Sequence, residues 1–240
     1  MAADKQERLK SAAARTWLRT LDDRIGISHE EKERKTRTAA PDLPVLEPLL
    51  ADKPEHCLER PAQDRMPEDN RWGFKMPVPE LLCNKGELYN LSVARGALSE
   101  EERYKINEHI VQTLIMLSEL PFPKHLRNVP AIASGHHEEM DGTGYPKRLH
   151  REEMSPQARM MAIANIFEAL TAIDRPYKKG KTLSEAMKIM SFMKKDQHID
   201  PDLFDLLLRS GVYRDYAARF MRPEQIDAVD ISTYVRPLTS

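Results

Sequence analysis

The sequence predicts an all-α fold, and three observations carry that expectation. Apolar residues recur at three- and four-residue steps along much of the chain. Several of these stretches open on Ser or Thr with Glu three residues later, the capping-box pattern. No run alternates convincingly in the manner of a strand, and no internal repeat is visible. Composition agrees: 9 glycines stand against 12 methionines in 240 residues, with many good helix formers. The expected architecture is a bundle of about five or six helices around one core, with an N-terminal helix and a Pro-rich extended arm wrapped on it.

From the N-terminus, Leu9, Ala13, Trp17, Leu18, Leu21 and Ile25 form one face, which predicts a helix over 5–25. Ser28 and Glu31 cap a second, short helix whose Lys32–Arg37 run is nearly all charged and so reads as a solvated face. Six prolines fall between Pro41 and Pro67 without apolar periodicity. Proline removes a backbone donor, so this stretch is expected as an extended surface linker. The Trp72–Met76 patch is expected to dock it on the core. These shifts divide the chain into a helical segment over 1–37, an arm over 38–78 and a helical domain over 79–240.

Within that domain, Ser99 and Glu102 cap a helix marked by Ile106, Ile110, Leu114 and Leu117, which stops at Pro121. His109 sits on the edge of its apolar stripe, where an isolated histidine is more often a satisfied core residue than a ligand. Val129, Ile132 and Ala133 place His136 and His137 on the extension of a buried helix face. Burying two unpartnered polar rings is costly, so at least one is expected to have a role beyond packing. Ser155–Pro156 starts a helix packed through Met160, Ile163, Ala164, Phe167 and Leu170, with Asn165 and Glu168 on a separate face. Thr182 and Glu185 cap the next, through Ala186, Ile189, Met190 and Met193, whose methionines suit a core or a dimer surface. Asp200–Pro201 opens the last, with Leu203, Phe204, Leu207 and Leu208, closing at Gly211.

The stretch with the most chemistry is Gly135-His136-His137-Glu138-Glu139-Met140-Asp141-Gly142-Thr143-Gly144-Tyr145-Pro146. Two adjacent imidazoles are followed at once by a turn that Gly142, Gly144 and Pro146 restrict, an arrangement suited to a metal site. The pattern HHExxDGxGYP resembles the signature of HD-GYP domains, metal-dependent phosphohydrolases whose usual substrate is cyclic di-GMP. The resemblance covers about 79–213. It implies His109, His136, His137 and Asn165 as metal positions, and Asp141, Tyr145, Arg175 and Lys178 as contacts to substrate. Arg175 and Lys178 belong to a cationic Asp174–Lys179 segment similar to the family's RPY stretch; without the resemblance it reads equally as a solvated cluster.

The family's cluster also needs carboxylates that are absent here. There is no His-Asp doublet in the chain, and the nearest equivalent place holds Asn70–Arg71. Where the family carries a later Asp, this sequence has Asn165, a neutral oxygen donor at best. The resemblance therefore implies a divalent ion, Fe, Mn or Zn, reduced to one or none, with impaired hydrolysis. The alternative is a module that binds cyclic di-GMP or a signalling partner such as a diguanylate cyclase without turnover. A homodimer, or a second chain supplying the doublet, are further expectations for the partners.

With a net charge of -1, 40% hydrophobic and 31% charged residues, nothing marks a binder of nucleic-acid polymers. No apolar run is long enough for a membrane span, so a cytoplasmic location is expected. Cys57 and Cys83 lie in no metal-type spacing and read as free thiols.

Overall fold

The computed structural model describes residues 3–67, 69–94, 96–174 and 179–236. The chain is mostly helical, with two small antiparallel two-stranded sheets. Residues Met1–Pro67 and Pro77–Ile106 make one compact unit, and Glu68–Met76 with Asn107–Ser240 make a second. Among the described residues no helix is long and apolar enough to cross a membrane.

In the first unit the expected helix over 5–25 is corrected. Helix α1 spans Ala3–Ala13, and the chain then extends as strand β1, Thr16–Arg19. Helix α2 covers His29–Lys35, capped by the Ser28 hydroxyl as expected. Strand β2, Val45–Pro48, pairs antiparallel with β1, setting Leu18 opposite Leu46. Arg19 decides the local conformation: its side chain is buried, and it reaches across to Glu47 at 3.1 Å and to Asp23 at 3.5 Å. A helix continuing through Ile25 would forfeit that pairing. Leu21 and Ile25, which the helical reading had inside, are 76% and 75% exposed.

The Pro-rich stretch contributes short strands. Strand β3, Cys57–Glu59, pairs with β4, Leu81–Asn84, with an irregularity between Leu58 and Glu59. Asp52 accepts from the backbone N–H of Leu88 and Tyr89, fixing the start of the short helix α3, Glu87–Leu91. Helix α4, Glu100–Ser118, begins on the expected capping box, with Ser99 and Glu102 bonding each other's backbone N–H.

The second unit holds the main core. After α5, Val129–Ser134, come α6, Pro156–Thr171; α7, Leu183–Lys195; α8, Pro201–Ser210; and α9, Val212–Phe220. Helix α6 packs on α5, α7 and α8, so it is the central element. The core joins Ile163 and Phe167 of α6 to Ala186, Met187 and Met190 of α7, Phe204 and Leu208 of α8, and Tyr213 of α9. Every cap expected here is present: Ser155 on α6, a full Thr182–Glu185 box on α7, and Asp200 on α8, which ends at a left-handed Gly211. Asp200 is fully buried and is also held by Arg151 at 3.0 Å and by Arg159.

Candidate metal centre

The site is assembled where α4, α5 and α6 meet the loop after α5. Ile110, Val111 and Leu114 bury one face of α4, which turns the neighbouring His109 to the exposed side. The other two histidines do not continue an α-helix, as the spacing suggested. Helix α5 stops at Ser134, and Gly135–His137 tighten into one 3-10 turn. Gly135 is needed there because a Cβ at that position would lie 2.9 Å from the Ala158 Cβ on α6. That close approach seats the turn directly against α6.

The three imidazoles His109, His136 and His137 converge, with candidate ligand nitrogens all within 4.8 Å of one another. The His136 and His137 ring centroids are 4.1 Å apart, and those of His109 and His137 are 5.2 Å apart. His136 Nδ1 sits 2.6 Å from the Ala133 carbonyl oxygen. A carbonyl only accepts, so Nδ1 carries the proton and Nε2 keeps the lone pair a metal requires. Burial, and then the neighbouring His136 and His109 rings, push the His137 imidazole down to about 4. It is therefore neutral at physiological pH, which is the ligating form. Among the described residues no aspartate, glutamate or cysteine joins the group.

The loop beyond is built around Glu138. Its side chain is buried, and its two oxygens accept from the backbone N–H of Lys147 at 2.7 Å and Leu149 at 2.8 Å. Burial still holds this carboxyl above the usual range, though those amides pull it back. Gly142 adopts φ 79°. Gly144 is required for a different reason: a Cβ would fall 2.3 Å from the Glu139 backbone nitrogen and 2.5 Å from the Glu138 Cα. The folded loop lays the Tyr145 ring on His137, with centroids 4.7 Å apart and planes 16° apart. Burial, then nearby Glu139, pushes the Tyr145 phenol up to about 12, so it stays protonated.

The remaining expected positions are distributed unevenly. Asp141 is exposed and turned into its own loop, accepting from the Thr143 backbone N–H at 2.9 Å and lying 2.7 Å from the Thr143 hydroxyl. Those Thr143 hydrogen bonds hold its carboxyl below the usual range. Asn165 is half-buried on α6 and shares a stripe with Ala158 and Ala162 by its seven- and three-residue spacing. Arg175 and Lys178 lie outside the described residues.

Sequence reasoning missed several supports. Glu138 was visible only as one letter of a motif. His198, in the loop between α7 and α8, reaches Glu139 at 3.5 Å. The Asn70–Phe74 turn lies beside this loop, within the patch expected to dock: the Lys75 backbone N–H donates to the Pro146 carbonyl at 2.8 Å. Asn70 is occupied within that turn, bonding both the N–H and the carbonyl of Phe74 at 2.8 and 3.0 Å. Arg71 pairs with Glu119 at 2.6 Å. No periodicity marks such contacts, because none of them depends on a repeat of apolar residues along the chain.

The HD domain family matches residues 44–203 of the chain. The chain is 34% identical over 140 residues to a cyclic di-GMP phosphodiesterase of Pseudomonas aeruginosa, covering 58% of this chain and 30% of that protein. It is 42% identical over 134 residues to a 3'3'-cGAMP-specific phosphodiesterase of Vibrio cholerae, covering 56% and 23% respectively. A cyclic di-GMP phosphodiesterase response regulator of Xanthomonas campestris shares 34% over 116 residues, 48% of this chain and 29% of that one. In each case the aligned stretch is less than a third of the relative.

Proposed function

The chain belongs to the HD domain family, of the HD-GYP type, and from that premise we propose that it is a metal-dependent phosphodiester-cleaving domain for a cyclic dinucleotide, cyclic di-GMP foremost, with weakened catalysis. The observation that carries this reading is the convergence of His109, His136 and His137 beside the Gly-Tyr-Pro loop. A bound divalent ion, Fe, Mn or Zn, would polarise a phosphoryl oxygen and activate water. The rest of the work falls to this chain's own groups. His136 presents Nε2 because Ala133 holds its Nδ1 proton, and neutral His137 offers a lone pair. The protonated Tyr145 hydroxyl is a hydrogen-bond donor suited to a phosphate or guanine oxygen. Asn165 of α6 would add a neutral oxygen.

A second reading is supported by Asn70, Arg71 and Asn165 at the places where the resemblance implies His, Asp and Asp. In that reading the domain binds the dinucleotide, or a partner such as a diguanylate cyclase or a second copy of itself, without cleaving it. Either role suits the cytoplasm. The test is to load purified protein with Zn, Fe or Mn in turn and follow cyclic di-GMP and 3'3'-cGAMP by chromatography. Slow appearance of linear dinucleotide, abolished by His137→Ala, supports hydrolysis. Intact dinucleotide under every metal overturns it, and calorimetric binding without cleavage supports the second reading.

A further inference from the structure

We propose that this chain holds one borderline-soft ion, zinc- or iron-like, in a three-imidazole site, in place of the carboxylate-bridged cluster that the HD-GYP resemblance implies. The inference takes from the functional reading only that the histidine group ligates metal.

The donor set is the first argument. Three neutral imidazoles, with no carboxylate joining them among the described residues, suit zinc, iron, nickel or copper and disfavour magnesium and manganese, which seek oxygen. The second argument is charge. Two divalent ions about 4 Å apart repel strongly unless anionic ligands bridge them. Among the described residues no carboxylate joins the histidines to do so, and the expected doublet is Asn70–Arg71, with Asn70 bonded to Phe74 and Arg71 a cation paired with Glu119. The carboxylates nearest in sequence to the histidine pair are committed as well. Glu138 holds two loop amides, Glu139 meets Thr143 and His198, and Asp141 meets Thr143.

The fit is close. Nitrogens about 2.0–2.1 Å from a tetrahedral zinc sit roughly 3.4 Å apart, so rings already within 4.8 Å need only small rotations to close. Three protein ligands leave the fourth position of a tetrahedral ion for water or an anion. With three neutral ligands the ion keeps its full double charge, so the open position favours a phosphate.

Cobalt titration of chelator-stripped protein tests this, because tetrahedral cobalt has an intense visible absorption. The expected result is one ion per chain with that absorption, which inorganic phosphate perturbs. His109→Gln, at an exposed ring, should weaken cobalt at least about tenfold while the circular dichroism is unchanged. Manganese should give no exchange-coupled pair by electron paramagnetic resonance. Two ions per chain, no bound ion, a coupled manganese pair, or unchanged affinity in His109→Gln would each overturn the proposal. One bound ion with cyclic di-GMP left intact would sink the hydrolase reading and leave this one standing. Two ions with active cleavage would do the reverse.

Discussion

Glu138 carries more of the site than its place between more conspicuous neighbours suggests. One buried carboxylate satisfies two backbone donors of the loop that positions Tyr145. In Glu138→Gln one amide N–H must face a carboxamide, and a buried charged hydrogen bond is lost, worth about 1.5–3 kcal/mol. The expected outcome is a lower melting temperature together with weaker metal binding, and unchanged values of both would refute the assignment. His137 gives a pH dependence of known sign. Its folded value of about 4 lies below the ordinary 6.5, so between these values the unfolded chain binds a proton that the folded ring refuses. Metal-stripped protein should therefore lose stability as pH falls from about 6.5 to about 4 and gain nothing from this group above that window. Denaturant melts across pH measure it, and a flat profile that His137→Phe leaves unaltered would contradict it. The paired histidines were legible because two adjacent imidazoles are rare company for a buried turn. Glu138 was not, since an acid that serves backbone amides nine and eleven residues away leaves no spacing to read.

At the scale of elements, legibility followed the caps. Ser99, Ser155, Thr182 and Asp200 each sit where a hydroxyl or carboxylate can take the exposed N–H groups of a first turn, and each starts a helix as expected. The strands escaped because their partners are remote: β1 pairs with a segment 26 to 32 residues further on, from Arg19↔Val45 to Thr16↔Pro48, and a local window over 5–25 sees only apolar residues at helical steps. Asp200 shows how a cap becomes a junction. It takes two N–H groups of α8, at 2.9 and 3.2 Å, and the guanidinium groups of Arg151 and Arg159. Burial alone would raise its carboxyl, yet the hydrogen bonds from Arg151, the α8 amides and Arg159 hold it below the usual range. Its stabilisation is thus present above the ordinary aspartate range and is lost as pH falls through the lowered value. Asp200→Asn keeps the shape but leaves Arg159 uncompensated, for which about 3–5 kcal/mol is the typical cost of breaking a buried pair. Chemical denaturation should show that loss, and a change below about 1 kcal/mol would mean the arginines repartner.

For the whole molecule, the helical class was correct because the second unit's core is made of segments that each announce themselves by period and cap. Phe204 is fully buried at its centre, between α7 and α8 neighbours. Phe204→Ala should cost about 3–5 kcal/mol, a large share of the roughly 5–15 kcal/mol that holds a typical domain folded. Loss of the sharp amide signals of α6–α9 would report it, whereas a native-like spectrum would show that this core collapses around the gap. What the sequence could not supply was the division into two units, one of which takes residues 68–76 out of an apparent arm. That assignment depends on backbone contacts such as Lys75 with Pro146, which any residue type could make.

The contact between Gly135 and Ala158 has a further consequence. The two smallest side chains available set the gap between α6 and the paired histidines, so that joint has no cushion. A single methyl added at 135 would act as a shim, lifting both rings off the helix at once while leaving His109 behind on α4. Such a variant would keep every ligand and lose their meeting point, separating the presence of the donors from their alignment.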